Sequence, residues 1–130
     1  MSIVGHGIDL VEVARIRAMV EEHGQRFLDR CFTAAEQAYN ADSRRRFEHL
    51  AARFAAKEAT LKALGTGLTS GIAWTDIEVV SGANGAPKLA LRGAAAVAAN
   101  VLGVDSWLIS LSHTDTHAMA SVIAMGRAAR

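Results

Sequence analysis

The chain has 130 residues, 51% of them hydrophobic, with a single proline and a formal net charge of +1. That length and apolar content suit one compact domain, 1–130, with a real core, and the near-neutral balance argues against a protein that coats nucleic acid. Cys31 stands alone, which excludes an intrachain disulfide or a cysteine zinc site; no signal-peptide pattern and no apolar run of about 18 residues occurs, so the expectation is a soluble cytoplasmic protein without a membrane partner.

Residues 3–11 form a short apolar run rich in β-branched side chains and read as a strand. In 12–22, Val13, Ile16, Met19 and Val20 recur at helical spacing, and the helix should stop near His23-Gly24. A short helix is expected over 25–30, and Thr33 followed by Glu36 fits a capping box opening another, to about residue 40. The longest helix should run over 44–64, with Asp42 or Ser43 as N-cap and Gly65 as terminator. After a glycine-rich connection to Gly71, strands at 76–81 and 88–92 flank Ala83-Asn84-Gly85-Ala86, whose Asn-Gly pair signals a hairpin. An alanine-rich helix over 94–102 closes at Gly103, and a last hairpin joins 107–112 to 118–125 around Thr114-Asp115-Thr116. Helices come early and hairpins late, so the predicted class is α+β, an antiparallel sheet of hairpins packed on a long helix.

Two carboxylates are out of place. At roughly 100° per residue, Phe47, Ala51, Phe54 and Leu61 share one stripe of the long helix, and Glu58 falls in its middle. An ionised carboxylate there needs an ion partner, a water-filled cleft or a metal ion. Asp9 shares a strand face with Gly5 and Gly7, which leave room for a ligand or for another backbone; an acid at a strand end also fits a bond to the N-terminus of the next helix. As a pair, two oxygen ligands would suit Mg²⁺, which keeps waters and shares phosphate oxygens.

Lys57 and Lys62 flank Glu58, either as a solvated helix edge or as a row of cations facing phosphate. Gly65-Thr66-Gly67 ends the helix; a glycine stop accounts for it, and its backbone N–H groups also suit a phosphate. His113 and His117 straddle a turn, so His113 reads as a turn hydrogen-bonder or phosphate contact rather than a zinc ligand. Arg44-Arg45-Arg46 opens a helix, where the helix dipole disfavours cations, and so invites an anionic partner.

Taken together, these segments resemble one family. Gly7-Ile8-Asp9-Leu10-Val11-Glu12-Val13-Ala14-Arg15-Ile16 is similar to the first signature of the 4′-phosphopantetheinyl transferases, and Arg53-Phe54-Ala55-Ala56-Lys57-Glu58-Ala59 to their second. Gly65-Thr66-Gly67, Asn84-Gly85-Ala86-Pro87 and Ser110-Leu111-Ser112-His113-Thr114 follow in order. The short chain and the early Asp9 fit the holo-[acyl-carrier-protein] synthase branch. The resemblance implies an enzyme that moves 4′-phosphopantetheine from coenzyme A to a serine of apo-acyl carrier protein, releases adenosine 3′,5′-bisphosphate and supports fatty acid biosynthesis. It implies Asp9 and Glu58 as Mg²⁺ ligands, with Lys57, Lys62 and His113 neutralising the pyrophosphate. Gly65, Thr66, Gly67, Pro87 and Thr114 are implied as further cofactor contacts, and Arg44, Arg45 and Arg53 as partners of the 3′-phosphate. Glu58 takes the serine proton directly or, by preference, through a metal-held water. Arg15, Arg17, Met19 and Arg26, extended by Arg30, are implied as the surface for the acidic carrier helix, and a homotrimer with sites between subunits is implied as the assembly. Where larger relatives carry another acid two residues after the first, this chain has Val11.

The residues admit two other classes. A noncatalytic module binding acidic helices through Arg15, Arg17 and Arg26 leaves Glu58 unexplained. An RNA-binding domain rests on the arginine run alone and lacks the aromatic segment that stacks bases.

Overall fold

The structure is a computed structural model and describes residues 1–68 and 71–127. Its elements are β1 (Ser2–Glu12), α1 (Val13–His23), α2 (Gln25–Cys31), α3 (Ala34–Ala38), α4 (Arg46–Leu64), β2 (Ile77–Ser81), β3 (Pro87–Leu91), α5 (Gly93–Leu102), β4 (Val104–His113) and β5 (His117–Gly126). The strands make two antiparallel sheets, one of order β1-β5-β4 and a separate β2-β3 hairpin. The expected α+β class holds, with the first strand added to the last hairpin; Asp9 faces Ala120 in that register. Residues 69 and 70 of the glycine-rich connection lie outside the described residues.

Local signals explain most element ends. Gly24 (φ 57°), Gly65 (φ 75°) and Gly103 (φ 84°) end three helices in conformations that side chains disfavour. Thr33 and Glu36 form the expected capping box, and Gly85 (φ 82°) turns the β2-β3 hairpin. The long helix begins two residues later than expected, at Arg46: Ser43 Oγ instead accepts the N–H of Arg45, 3.1 Å away, within a preceding turn.

Helix α4 is the centre of the molecule. Packed on one side by the inner sheet face (Val11, Ala118, Ala120, Val122 and Ala124, all buried), it approaches β1 very closely. A Cβ on Gly5 would sit 2.1 Å from the Ala63 carbonyl oxygen, and one on Gly7 1.8 Å from that of Ala59. The space beside Asp9 is therefore taken by another backbone, not left open for a ligand. On its other side α4 is sealed by α1, α2, α3 and β2, so that from Leu50 to Leu61 Glu58 is the one residue not buried. The outer sheet face carries exposed apolar residues instead: Ile8, Leu10, Leu108 and Met119 are 37–64% exposed.

Lys57 is enclosed in this packing. Its ammonium, 0% exposed, pairs with Glu36 at 2.8 Å and donates to the carbonyls of Trp74 (3.1 Å) and Ile77. Glu36 also accepts from the N–H groups of Thr33 and Val79, both at 2.9 Å, so every strong polar atom of the pair is used. Burial pulls the Lys57 ammonium below its ordinary pKa, and Glu36 opposes that pull. The expectation that Lys57 faces a phosphate is thus corrected: all three of its hydrogens tie α4 to α3 and to the start of β2. Lys57→Met, which strands Glu36 as a buried charge, should cost about 3–5 kcal/mol of stability, whereas Lys62→Met should stay within about 1 kcal/mol. Urea denaturation of both variants checks this, and equal losses would refute it.

Candidate functional site

The break in the burial of α4 at Glu58 opens onto a cleft of about 460 Å³, lined also by Leu61, Lys62, Gly65, Gly67, Leu68 and Trp74. Asp9 stands beside Glu58, within hydrogen-bonding reach of it. Lys62, one turn further along α4 and half exposed, donates to Asp9 Oδ1 at 3.1 Å and to the Ile8 carbonyl at 2.8 Å, rather than pairing with Glu58. Asp9 Oδ2 is buried and has no hydrogen-bond partner. Burial first, then the Asp9 charge and the hydrogen bond to Asp9, hold the Glu58 carboxyl above the usual carboxylate range; Arg15 and Lys62 pull the other way. Among the described residues no third acid, histidine or cysteine joins the pair as a potential metal ligand.

Gly65 and Gly67 (φ 60°) both line the cleft. Thr66 lies between them, its hydroxyl donating to the Gly67 carbonyl at 2.9 Å. Trp74, its ring tilted by 38° against that of Phe54 with centroids 4.9 Å apart, forms the wall between this cleft and a second depression shared by Arg15, Met19, Phe27, Arg30 and Cys31. Arg26 continues that surface beside Met19 and Arg30. Arg15 and Met19 lie one turn apart on the same side of α1, but Arg17 is rotated away and rests over Phe47, 5.1 Å from the ring centroid. The expected basic face therefore forms from Arg15, Met19, Arg26 and Arg30 without Arg17.

The other expected residues gather elsewhere. Arg53, Pro87 and His113 line a groove of about 250 Å³ together with Tyr39 and His49. Arg53 is buried, 4.0 Å from the Tyr39 ring centroid, with its Nε unpartnered. Arg45 is exposed and 3.6 Å from Asp115, and Arg44 is exposed in the preceding turn. Thr114 does not line the groove: its hydroxyl accepts from the N–H groups of Thr116 and His117 and so closes the β4-β5 turn. Arg53 precedes Glu58 by five residues, about 140° around the helix, so within one chain the groove and the cleft face different ways. The sequence reading missed Trp74, Tyr39 and His49; only an aromatic beside a glycine-rich stretch, and a histidine one turn before Arg53, hinted at them.

Residues 5–120 match the family described as the 4′-phosphopantetheinyl transferase superfamily. A holo-[acyl-carrier-protein] synthase of Chloroflexus aggregans is 53% identical, covering 92% of this chain and 93% of its own length. The synthase structure from Neisseria meningitidis superposes with a TM-score of 0.85 at 31% identity, over 95% of this chain and 98% of that one. The Helicobacter pylori synthase, solved in complex with coenzyme A, gives 0.81 at 30% identity, over 92% and 99%.

Because Glu58 holds its proton to higher pH in the folded chain than in the unfolded one, the folded state binds more protons between those two values, and stability falls as pH rises through that window. In metal-free buffer Glu58→Gln should therefore be at least as stable as the parent chain at neutral pH. Any advantage should vanish below the ordinary glutamate value of 4.5. Urea midpoints across that range test this; a parent chain more stable than the variant at neutral pH would contradict it.

Proposed function

The chain belongs to the 4′-phosphopantetheinyl transferase superfamily and is an enzyme of the holo-[acyl-carrier-protein] synthase kind, and from that premise we propose how its residues carry phosphopantetheine from coenzyme A to a carrier protein. The observation that carries the reading is the Asp9–Glu58 pair, a buried carboxylate oxygen without a donor next to a second carboxylate at the mouth of a cleft. That donor set fits Mg²⁺, which accepts one or two carboxylates and completes its shell with water and phosphate oxygens. Asp9 and Glu58 would hold Mg²⁺, and the chemistry it would supply there is charge neutralisation of the pyrophosphate of coenzyme A.

In this reading residues 1–130 act as one transferase domain. Lys62 adds a second positive charge to the pyrophosphate, and the backbone of Gly65-Thr66-Gly67 lies against the same group. The carrier docks its acidic helix on Arg15, Met19, Arg26 and Arg30, which brings its serine past Trp74 to the cleft. The serine oxygen attacks the β-phosphorus in line, forming the new P–O bond as the bond to the bridging oxygen breaks. Its proton passes through an intervening water to Glu58, and adenosine 3′,5′-bisphosphate leaves. The product carrier is of the type used in fatty acid biosynthesis.

The nucleotide half lies in the groove of Arg53, Pro87 and His113, with Arg44 and Arg45 at the rim. Since groove and cleft diverge on one chain, the groove comes from a neighbouring copy, in a homotrimer joined through the apolar outer face of the β1-β5-β4 sheet. Exposure of Ile8, Leu10, Leu108 and Met119 there supports self-association.

Incubation with apo-acyl carrier protein, coenzyme A and Mg²⁺ should add one phosphopantetheine mass to the carrier, and chelation of divalent metal should abolish the gain. Asp9→Ala and Glu58→Ala should each lose about a hundredfold or more in rate while keeping the fold. Failure to modify any bacterial apo carrier would sink the reading. Mixing Glu58→Ala subunits with Arg53→Ala/His113→Ala subunits should restore activity above the sum of the two, because some hybrid sites then hold all the native groups. No gain, once native mass spectrometry has shown mixed oligomers, would refute the shared site.

A further inference from the structure

His49 lines the groove but has no role in the transfer reading, and its surroundings are unusually specific. It sits in the first turn of α4, with its ring edge-on to His113 (centroids 5.7 Å apart, planes at 79°) and tilted against Tyr39 at 5.9 Å. Its Nδ1 lies 2.9 Å from the side-chain amide nitrogen of Asn40. That nitrogen only donates, so Nδ1 accepts and the ring's hydrogen is on Nε2. Asn40 is also the one non-glycine residue at positive φ (53°) among the described residues. The turn that holds it there includes the Ser43 N–H bond to the Asn40 carbonyl at 3.0 Å. A left-handed asparagine whose amide grips an imidazole fixes both the ring's orientation and its tautomer.

We propose that His49 is a binding residue of this groove, held by Asn40 as the neutral Nε2–H tautomer so that it presents a fixed hydrogen-bond donor to the phosphate-bearing nucleotide. The inference rests on the reading of the groove as the nucleotide site. It adds an uncharged donor beside the cationic Arg53. The groups facing His49 favour the neutral state. Burial first, then Arg53 and His113, with Arg45 adding, hold its pKa below the ordinary imidazole value, against Glu48 alone. A neutral donor keeps its hydrogen bond across the neutral pH range, whereas a ring that alternates between charged and uncharged forms would make affinity follow pH.

The test has a spectroscopic and a functional arm on the full chain. Long-range ¹H–¹⁵N spectra should show the His49 ring as the neutral Nε2–H tautomer through the neutral range; an Nδ1–H or charged ring would overturn the inference. His49→Phe, which keeps the ring packing, should raise the KM for coenzyme A and the Kd for adenosine 3′,5′-bisphosphate about tenfold with kcat little changed. Asn40→Asp, which places a carboxylate against Nδ1 and so favours the charged ring, should add to that Kd a pH dependence beyond the one the parent shows from the titration of the ligand's own phosphates. Arg53→Ala is the control. If Arg53→Ala weakens adenosine 3′,5′-bisphosphate and His49→Phe does not, this inference falls and the groove reading stands. If neither weakens it, both fall.

Discussion

The close approach of α4 to β1 is the constraint on which the rest of the structure depends. Two residues of strand advance about 6.7 Å and four residues of helix about 6 Å, so the two antiparallel elements keep step. Gly5 meets Ala63, Gly7 meets Ala59, and the next residue on that strand face, Asp9, reaches the level of Ala55. Glu58 lies three residues from Ala55 on the helix, at the flank of this seam. The glycines thus set the carboxylate pair: with any side chain at Gly5 or Gly7 the helix would stand off the strand, and Asp9 and Glu58 would lose each other. Ala118, Ala120 and Ala124 on β5 permit the same approach from the neighbouring strand.

Two adjacent residues on α4 show how differently one fold treats charge. Lys57 and Glu58 are a residue apart and about 100° apart around the axis. That rotation turns Lys57 into the body of the protein, where Glu36 and two carbonyls satisfy all its hydrogens. The same rotation turns Glu58 toward the cleft, beside the carboxylate of Asp9. A buried charge is tolerable when its partners are complete and costly when they are not. The protein completes the first site and leaves the second incomplete, and an incomplete acidic pair is what a divalent cation and a pyrophosphate would fill.

How much of this the sequence disclosed depends on the kind of signal. Glu58 was conspicuous because a single charge interrupts an apolar helical stripe, and Asp9 because two glycines precede it at strand spacing. Gly65, Gly103 and the Asn84-Gly85 turn were legible because backbone geometry demands particular residues there. Lys57 was misjudged because its partner, Glu36, lies 21 positions away on a helix whose docking no local pattern encodes. Arg17 was misassigned because grouping arginines by proximity in the chain ignores a rotation of about 200° from Arg15. His49 and Asn40 stayed hidden since their meaning lies in one left-handed backbone conformation, which the sequence marks only with an asparagine.

The least legible feature is that the chemistry lies on different sides of α4. His49 and Glu58 are nine residues apart, a rotation of about 180° and a rise of about 13 Å. A straight helix cannot turn both toward one substrate; on the proposed reading, a cation groove on one side and an acidic cleft on the other would be complementary halves of a site for a nucleotide pyrophosphate. The outer sheet face carries apolar side chains that a solvated surface has no use for, and β1 joins that face to the cleft, because Ile8 and Leu10 flank Asp9 on the same strand with opposite orientation. A neighbour seated on Ile8 and Leu10 therefore comes close to the carboxylate pair. On the proposed reading, covering the exposed apolar face and completing the half-built site would be the same event: the arrival of a second copy of the chain.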